Sequence, residues 1–353
     1  MRLRRTALLV TGLLSISALP AHASVGWRVV ASPEADARLA AVSFTGPSDG
    51  WAVGAKAGLD TLVEHWNGTG WREIASPAVA FSDEALTGVS AVSGSDAWAV
   101  GWQDPYGTTR VHGLFVHWDG SGWSTVSAPP GIPVGVDART ASDIWAVGND
   151  FYAHFDGHGW SAVAPPEAGT HPASVVVLAA NNAWAVGGRQ DPRPGYHHDV
   201  PYLAHWNGTA WSSVPVPGNF GSGALSSVSA ISANDIWAVG RVGSFPSTPV
   251  ALHFDGASWQ VVPTVAKGGS GLSGVTAVAA NDVWAVGQRD GTLPNGNAVL
   301  RTLIEHWDGS AWSTTRSPND SEQDNYFAAA DTAGGVVWAV GGDGGTLIAR
   351  HGA

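Results

Sequence analysis

The heptapeptide Asn281-Asp282-Val283-Trp284-Ala285-Val286-Gly287 decides the fold, because its last four residues occur seven times in the chain. Trp-Ala-Val-Gly begins at Trp51, Trp98, Trp145, Trp184, Trp237, Trp284 and Trp338, at steps of 47, 47, 39, 53, 47 and 54 residues. A repeat of that length, rich in Gly and Trp and without a helical apolar period, predicts the blades of a β-propeller.

The strands read outward from Trp284 in turn. Residues 272–279 alternate apolar and small side chains and predict an innermost strand, which Asn281-Asp282 turns into the Trp-Ala-Val-Gly strand. Residues 302–307 predict the third strand. Asp308-Gly309-Ser310-Ala311 is a hairpin turn, since Asp-Gly readily adopts positive φ, and residues 312–317 form an outer strand that Pro318 ends. The same order of parts defines units at 39–77, 86–129, 132–166, 173–217, 225–263 and 272–318. The last unit, 326–353, lacks an outer strand, and residues 24–33 supply it. There Gly26-Trp27-Arg28-Val29-Val30-Ala31-Ser32-Pro33 matches Gly70-Trp71-Arg72-Glu73-Ile74-Ala75-Ser76-Pro77. The expected fold is all-β, a seven-bladed propeller of four-stranded blades spanning 24–353. Its N-terminal strand completes blade 7 and pairs two otherwise open sheet edges.

The repeat resembles that of exported bacterial proteins, many of them actinobacterial, with a Ser/Asn-Asp-x-Trp-Ala-Val-Gly segment followed by a His-Trp-Asp/Asn-Gly-x-x-Trp hairpin. The residues that carry the likeness include 281–287 with 306–312 and 95–101 with 117–123. More distantly the chain is similar to kelch and Asp-box propellers. The resemblance implies the fold and export, and says little of function.

Composition narrows the partners. Arg2, Arg4 and Arg5, an apolar stretch from Thr6 to Leu19 and Ala21-His22-Ala23 read as a signal peptide over residues 1–23, followed by a secreted or wall-associated chain. Its removal takes three of 17 basic residues and none of 29 acidic ones. The remaining charge of about −15 argues against nucleic acid and anionic membrane as partners. No later segment is apolar enough to insert in a membrane, and the absence of cysteine rules out disulfides, thiolate catalysis and cysteine–zinc sites. A monomer without cofactor is expected.

One histidine recurs just before the aromatic residue of the third strand: His65, His117, His154, His205, His253 and His306. The turn before Trp-Ala-Val-Gly carries Asp49, Asp96, Asp143, Asn182, Asp235 and Asp282. Antiparallel pairing brings the two positions together, and a buried imidazole needs such a partner, so both sets are read as scaffold rather than as metal or proton-relay sites. Blade 7 has Val336 in place of the acid, and Arg350-His351 does not fit the register of the others.

Function then falls to the variable loops between second and third strands. Trp102 and Tyr106 are candidates to stack on a sugar ring, with Asp104 bonding its hydroxyls. Arg189, Arg241 and Arg289 follow the second strand in three successive blades and are candidates to converge on an anion. Metal ligands, if any, would come from His197 and His198 with a residue such as His171, or from Asp320, Glu322 and Asp324. Nucleophile elbow, phosphate loop, zinc-protease and dinucleotide signatures are absent. The favoured expectation is non-catalytic recognition of extracellular glycan or cell-envelope material. A surface-protein scaffold and a glycosidase or lyase acting on an acidic sugar are the alternatives.

Overall fold

The computed structural model describes residues 26–77, 82–107, 110–318 and 322–352, so the expected signal peptide and Asp320 lie outside the described residues. Seven antiparallel sheets of four strands stand in a ring, and all but the last follow chain order from the central channel outward. Blade 6 runs Ser270–Ala279, Asp282–Thr292, Ala298–Trp307 and Trp312–Thr314, and blade 4 runs Thr170–Ala179, Asn182–Gln190, Asp199–Trp206 and Trp211–Val214. Blade 7 is made of Asn325–Ala333, Val336–Asp343 and Thr346–His351, with Arg28–Val29 as its outer strand. The N-terminal strand thus closes the ring. Paired outer strands are shorter than the sequence reading, because twist accumulated across the sheet carries the edge away from regular pairing.

Tryptophan makes the blades cohere. Each Trp of the repeat lies edge-on to the outer-strand Trp of the next blade: Trp51 to Trp123 at 89°, Trp184 to Trp259 at 76°, Trp237 to Trp312 at 90°. The last two contacts cross the closure, Trp284 to Trp27 at 73° and Trp338 to Trp71 at 87°. Apolar burial and edge-to-face contact act together here, and Ala and Val of the same motif are fully buried in every blade. Every tryptophan except Trp102 occupies a repeat position.

A belt of polar groups lines the inner strands, which the sequence reading did not find. Ser43, Ser90, Asp137, Ser229 and Asp331 all lie opposite the repeat Trp of their own blade. Each accepts a hydrogen bond from a backbone N–H of the next blade: Ala91 (3.1 Å), Ala138 (3.0 Å), Val177 (2.7 Å), Ala277 (3.1 Å) and Phe44 (2.7 Å), respectively. The bond from Phe44 to Asp331 joins blade 1 to blade 7. Neighbouring inner strands approach so closely that a Cβ at Gly135 would stand 2.6 Å from the Ala173 carbonyl oxygen.

Candidate functional site

The two rims of the ring are built differently. On one, every turn from first to second strand has two residues, from Pro47-Ser48 to Gly334-Gly335. The other rim carries the second-to-third-strand loops, which range from Asn149-Asp150 alone in blade 3 to residues 191–198 in blade 4. The short-turn rim is also held by the histidines. Nε2 of His65, His117, His154, His205, His253 and His306 is bonded to Asp49, Asp96, Asp143, Asn182, Asp235 and Asp282 at 2.7, 2.9, 2.9, 3.0, 2.8 and 2.8 Å. Each ring also packs on the repeat Trp of its blade, His306 on Trp284 at 4.1 Å and His205 on Trp184 at 4.5 Å. In blade 7, Arg350 pairs with Trp338 at the histidine's register and lies over its ring at 5.4 Å. His351 instead faces Trp284 of blade 6 at 4.5 Å.

Among the described residues the exposed Phe and Tyr rings on the long-loop rim are Tyr106 in blade 2, Tyr196 in blade 4 and Phe245 in blade 5, exposed by 62%, 47% and 89%. Leu59, Val111 and Val265 are exposed on the same rim, whereas Ile231 is the exposed large apolar residue near the opposite one. Blades 3 and 7 both turn in two residues, so a short turn separates the longer loops of blades 2 and 4. Tyr106 donates to Asp83 at 2.6 Å, a partner in the inner strand that sequence reading missed, and this bond pushes the phenol pKa up. Trp102 and Asp104 share a strand face, but the indole is half-buried rather than presented as a platform.

The blade 4 loop is fastened from within. Asp191, with its side chain 1% exposed, takes Nε and Nη2 of Arg193 at 3.0 and 2.5 Å and the Arg193 N–H at 2.9 Å, which holds its carboxyl at about 2. Arg193 in turn lies 4.2 Å from the centre of the Tyr196 ring. His198 bonds the Gly221 carbonyl at 2.6 Å and His171 bonds Asp199 at 2.8 Å, so the neighbours His198 and Asp199 go to separate partners. His197 is exposed. Glu322 is exposed, and Asp324 accepts the Leu300 N–H at 2.6 Å. Among the described residues no group of three or more His, Cys, Asp or Glu could hold a metal ion.

The three arginines do not converge. Arg241 follows its Trp by four residues, whereas Arg189 and Arg289 follow theirs by five, and alternate residues of a strand face opposite ways. Arg241 therefore packs forward on Gly271 of blade 6, and Arg189 turns to Glu167, in the connection before its own blade, at 3.2 Å. Arg189 and Arg289 line two separate hollows, of about 620 and 770 Å3.

Two acids lie apart from all of these. Asp137 and Asp331 line the channel, a cavity of about 300 Å3, and burial pushes them up to about 6 and about 7. Raised carboxylates in a cavity are a mark of catalytic sites. Here one oxygen of each is bonded to the next blade's backbone, and among the described residues no arginine lines the channel.

No family model matches the chain, and no curated protein matches it. Solved propellers do. A structure of YCF48 bound to D1 peptide is 17% identical with a TM-score of 0.63, over 95% of this chain and 100% of that one. The WD40 β-propeller domain of Doa1 is 10% identical with a TM-score of 0.61, over 93% and 98%. The SapL1 lectin in complex with α-methyl fucoside is 14% identical with a TM-score of 0.51, over 82% and 98%. Likeness at these identities concerns the fold. The protein is a seven-bladed, Trp-rich β-propeller whose structural neighbours include peptide-, protein- and sugar-binding propellers. No helix among the described residues is long and apolar enough to cross a membrane.

Proposed function

We propose that this chain is an exported, monomeric, non-catalytic binding protein that recognises extracellular glycan or cell-envelope material on its long-loop rim. The observation that carries the reading is the placement of Tyr106, Tyr196 and Phe245, all exposed and all on that rim. Two of the rings are held by polar partners, Tyr106 by Asp83 and Tyr196 by Arg193, an arrangement that presents an apolar face beside groups able to bond hydroxyls. A sugar-binding neighbour shares the architecture. The aliphatic Leu59, Val111 and Val265 on the same rim favour a surface protein as the second reading. Hydrolysis of an acidic sugar is less well supported, because the raised acids and the arginines occupy different parts of the molecule.

The test is binding of residues 24–353 to an array of glycans and cell-wall polysaccharides. The expected result is a defined signal that Tyr196→Ala or Phe245→Ala weakens about tenfold or more and Ile231→Ala leaves alone. A silent array, or equal losses in all three variants, overturns the reading and sends the search to surface proteins.

A further inference from the structure

On the flank of blade 6, against the N-terminal strand, lies a hollow of about 770 Å3. Arg289 reaches it from the second strand and Arg316 from just past the outer strand, and among the described residues no aspartate or glutamate lines it. Among the described residues neither guanidinium has a hydrogen bond or an ion pair. Arg72, Arg241 and Lys267 also lack one, so the distinguishing feature here is that two such guanidiniums line one hollow.

The repeat supplies the control. Five residues after its Trp, blade 1 carries Lys56, bonded to Glu73 at 2.6 Å, and blade 4 carries Arg189, bonded to Glu167 at 3.2 Å. Blade 6 carries Arg289 at this position, but Thr314 stands at the register position of Glu73 and Arg316 replaces the Pro215 of blade 4. Two of the three blades with a cation here neutralise it from within, and the third adds a second cation. Two cations lining one solvent-open hollow make the local potential positive, which favours an anion from outside.

We propose that this hollow binds the carboxylate of an acidic saccharide. Planar guanidiniums match a carboxylate in paired hydrogen bonds, the hydroxyls of Thr314 and Thr315 are placed to bond ring hydroxyls, and the Trp27 indole provides an apolar wall. The choice of a saccharide rests on the glycan reading of the rim; the preference for an anion does not.

The experiment is calorimetric titration of residues 24–353 with oligomers of galacturonate, mannuronate and hyaluronan, with methyl-esterified oligogalacturonate as the neutral match and inorganic phosphate as the bare anion. At least one acidic oligomer is expected to bind, and in the galacturonate series the esterified form to bind at least about tenfold more weakly than the acid. Arg289→Ala and Arg316→Ala should each cost about tenfold, and Arg139→Ala, which removes an arginine near the opposite rim, should cost nothing. Silence across all three acidic oligomers, equal binding of the esterified form, or equal binding of phosphate overturns the proposal. So does an Arg139→Ala loss as large as that of Arg289→Ala. A neutral glycan lost in Phe245→Ala but kept in Arg289→Ala would leave the rim reading standing without this one.

Discussion

Blades 4 and 6 place an arginine at the same strand position and surround it differently. Arg189 is held by Glu167, which also takes the Ser213 hydroxyl at 2.6 Å, whereas Arg289 shares its hollow with Arg316 and, among the described residues, no acid. The frame beneath them is common: a buried Trp, a histidine packed on it and an edge-on Trp from the next blade. Packing dictates the frame and leaves the flank free, so charge can change there without disturbing the blade. Each flank can in that sense vary on its own over one scaffold.

The shared part is broken most severely at its tryptophans. Trp184→Ala and Trp284→Ala remove side chains 6% and 5% exposed, and each is expected to cost about 3–5 kcal/mol, to a similar extent in both blades. Guanidinium unfolding midpoints measure this. A large loss in one blade and a small one in the other would mean that the two frames are not equivalent.

A smaller effect attaches to an acid on the third strand. Blade 6 has Glu305 and blade 1 has Glu64 one residue before the histidine, where blade 4 has Ala204. Burial raises both acids, Glu64 from 4.5 to about 7, although Ser32 bonds it at 2.6 Å. The folded chain then holds this proton more tightly than the unfolded chain does. Its contribution is full below pH 4.5 and declines as pH rises to about 7, by up to about 3 kcal/mol. Urea unfolding from pH 4 to 8 should show this decline, and Glu64→Gln should flatten it. An unchanged slope in the variant would assign the decline to other groups, Asp137 and Asp331 first.

The smallest change sharpens the contrast directly. Glu167→Ala removes the partner of Arg189 and should cost under about 1 kcal/mol, because the pair is partly exposed. It makes the blade 4 flank cationic, and calorimetry should then detect a gain in affinity for the acidic oligomers there. No gain would show that Arg189 beside the Asp191–Arg193 pair is insufficient and that two unpaired arginines, as in blade 6, are needed.

The legible parts of this molecule are those that repeat. The blade count, the closing strand and the histidine–acid positions follow from aligning seven copies, because every copy solves the same packing problem. The inner-strand belt was legible in principle: Ser43, Ser90, Asp137 and Ser229 each stand eight residues before a repeat Trp. It was missed because small and polar residues on an innermost strand read as mere alternation. Blade 7 was misread at its third strand, where Arg350 rather than a histidine opposes Trp338 and His351 takes an aromatic position. The arginines of blades 4 to 6 were read by nearness to the strand end, although one residue of offset reverses the face.

The sequence by itself thus determined the architecture, the order of strands and the chemistry of the frame, since identical motifs at fixed spacing leave little freedom in how they pack. Only the tertiary structure decided which charges are neutralised, which rings are exposed and which face each arginine takes. Those outcomes depend on partners from other connections, such as Glu167 against Arg189, and on the parity of a strand beyond its last repeat residue. Neither is set until the ring has closed.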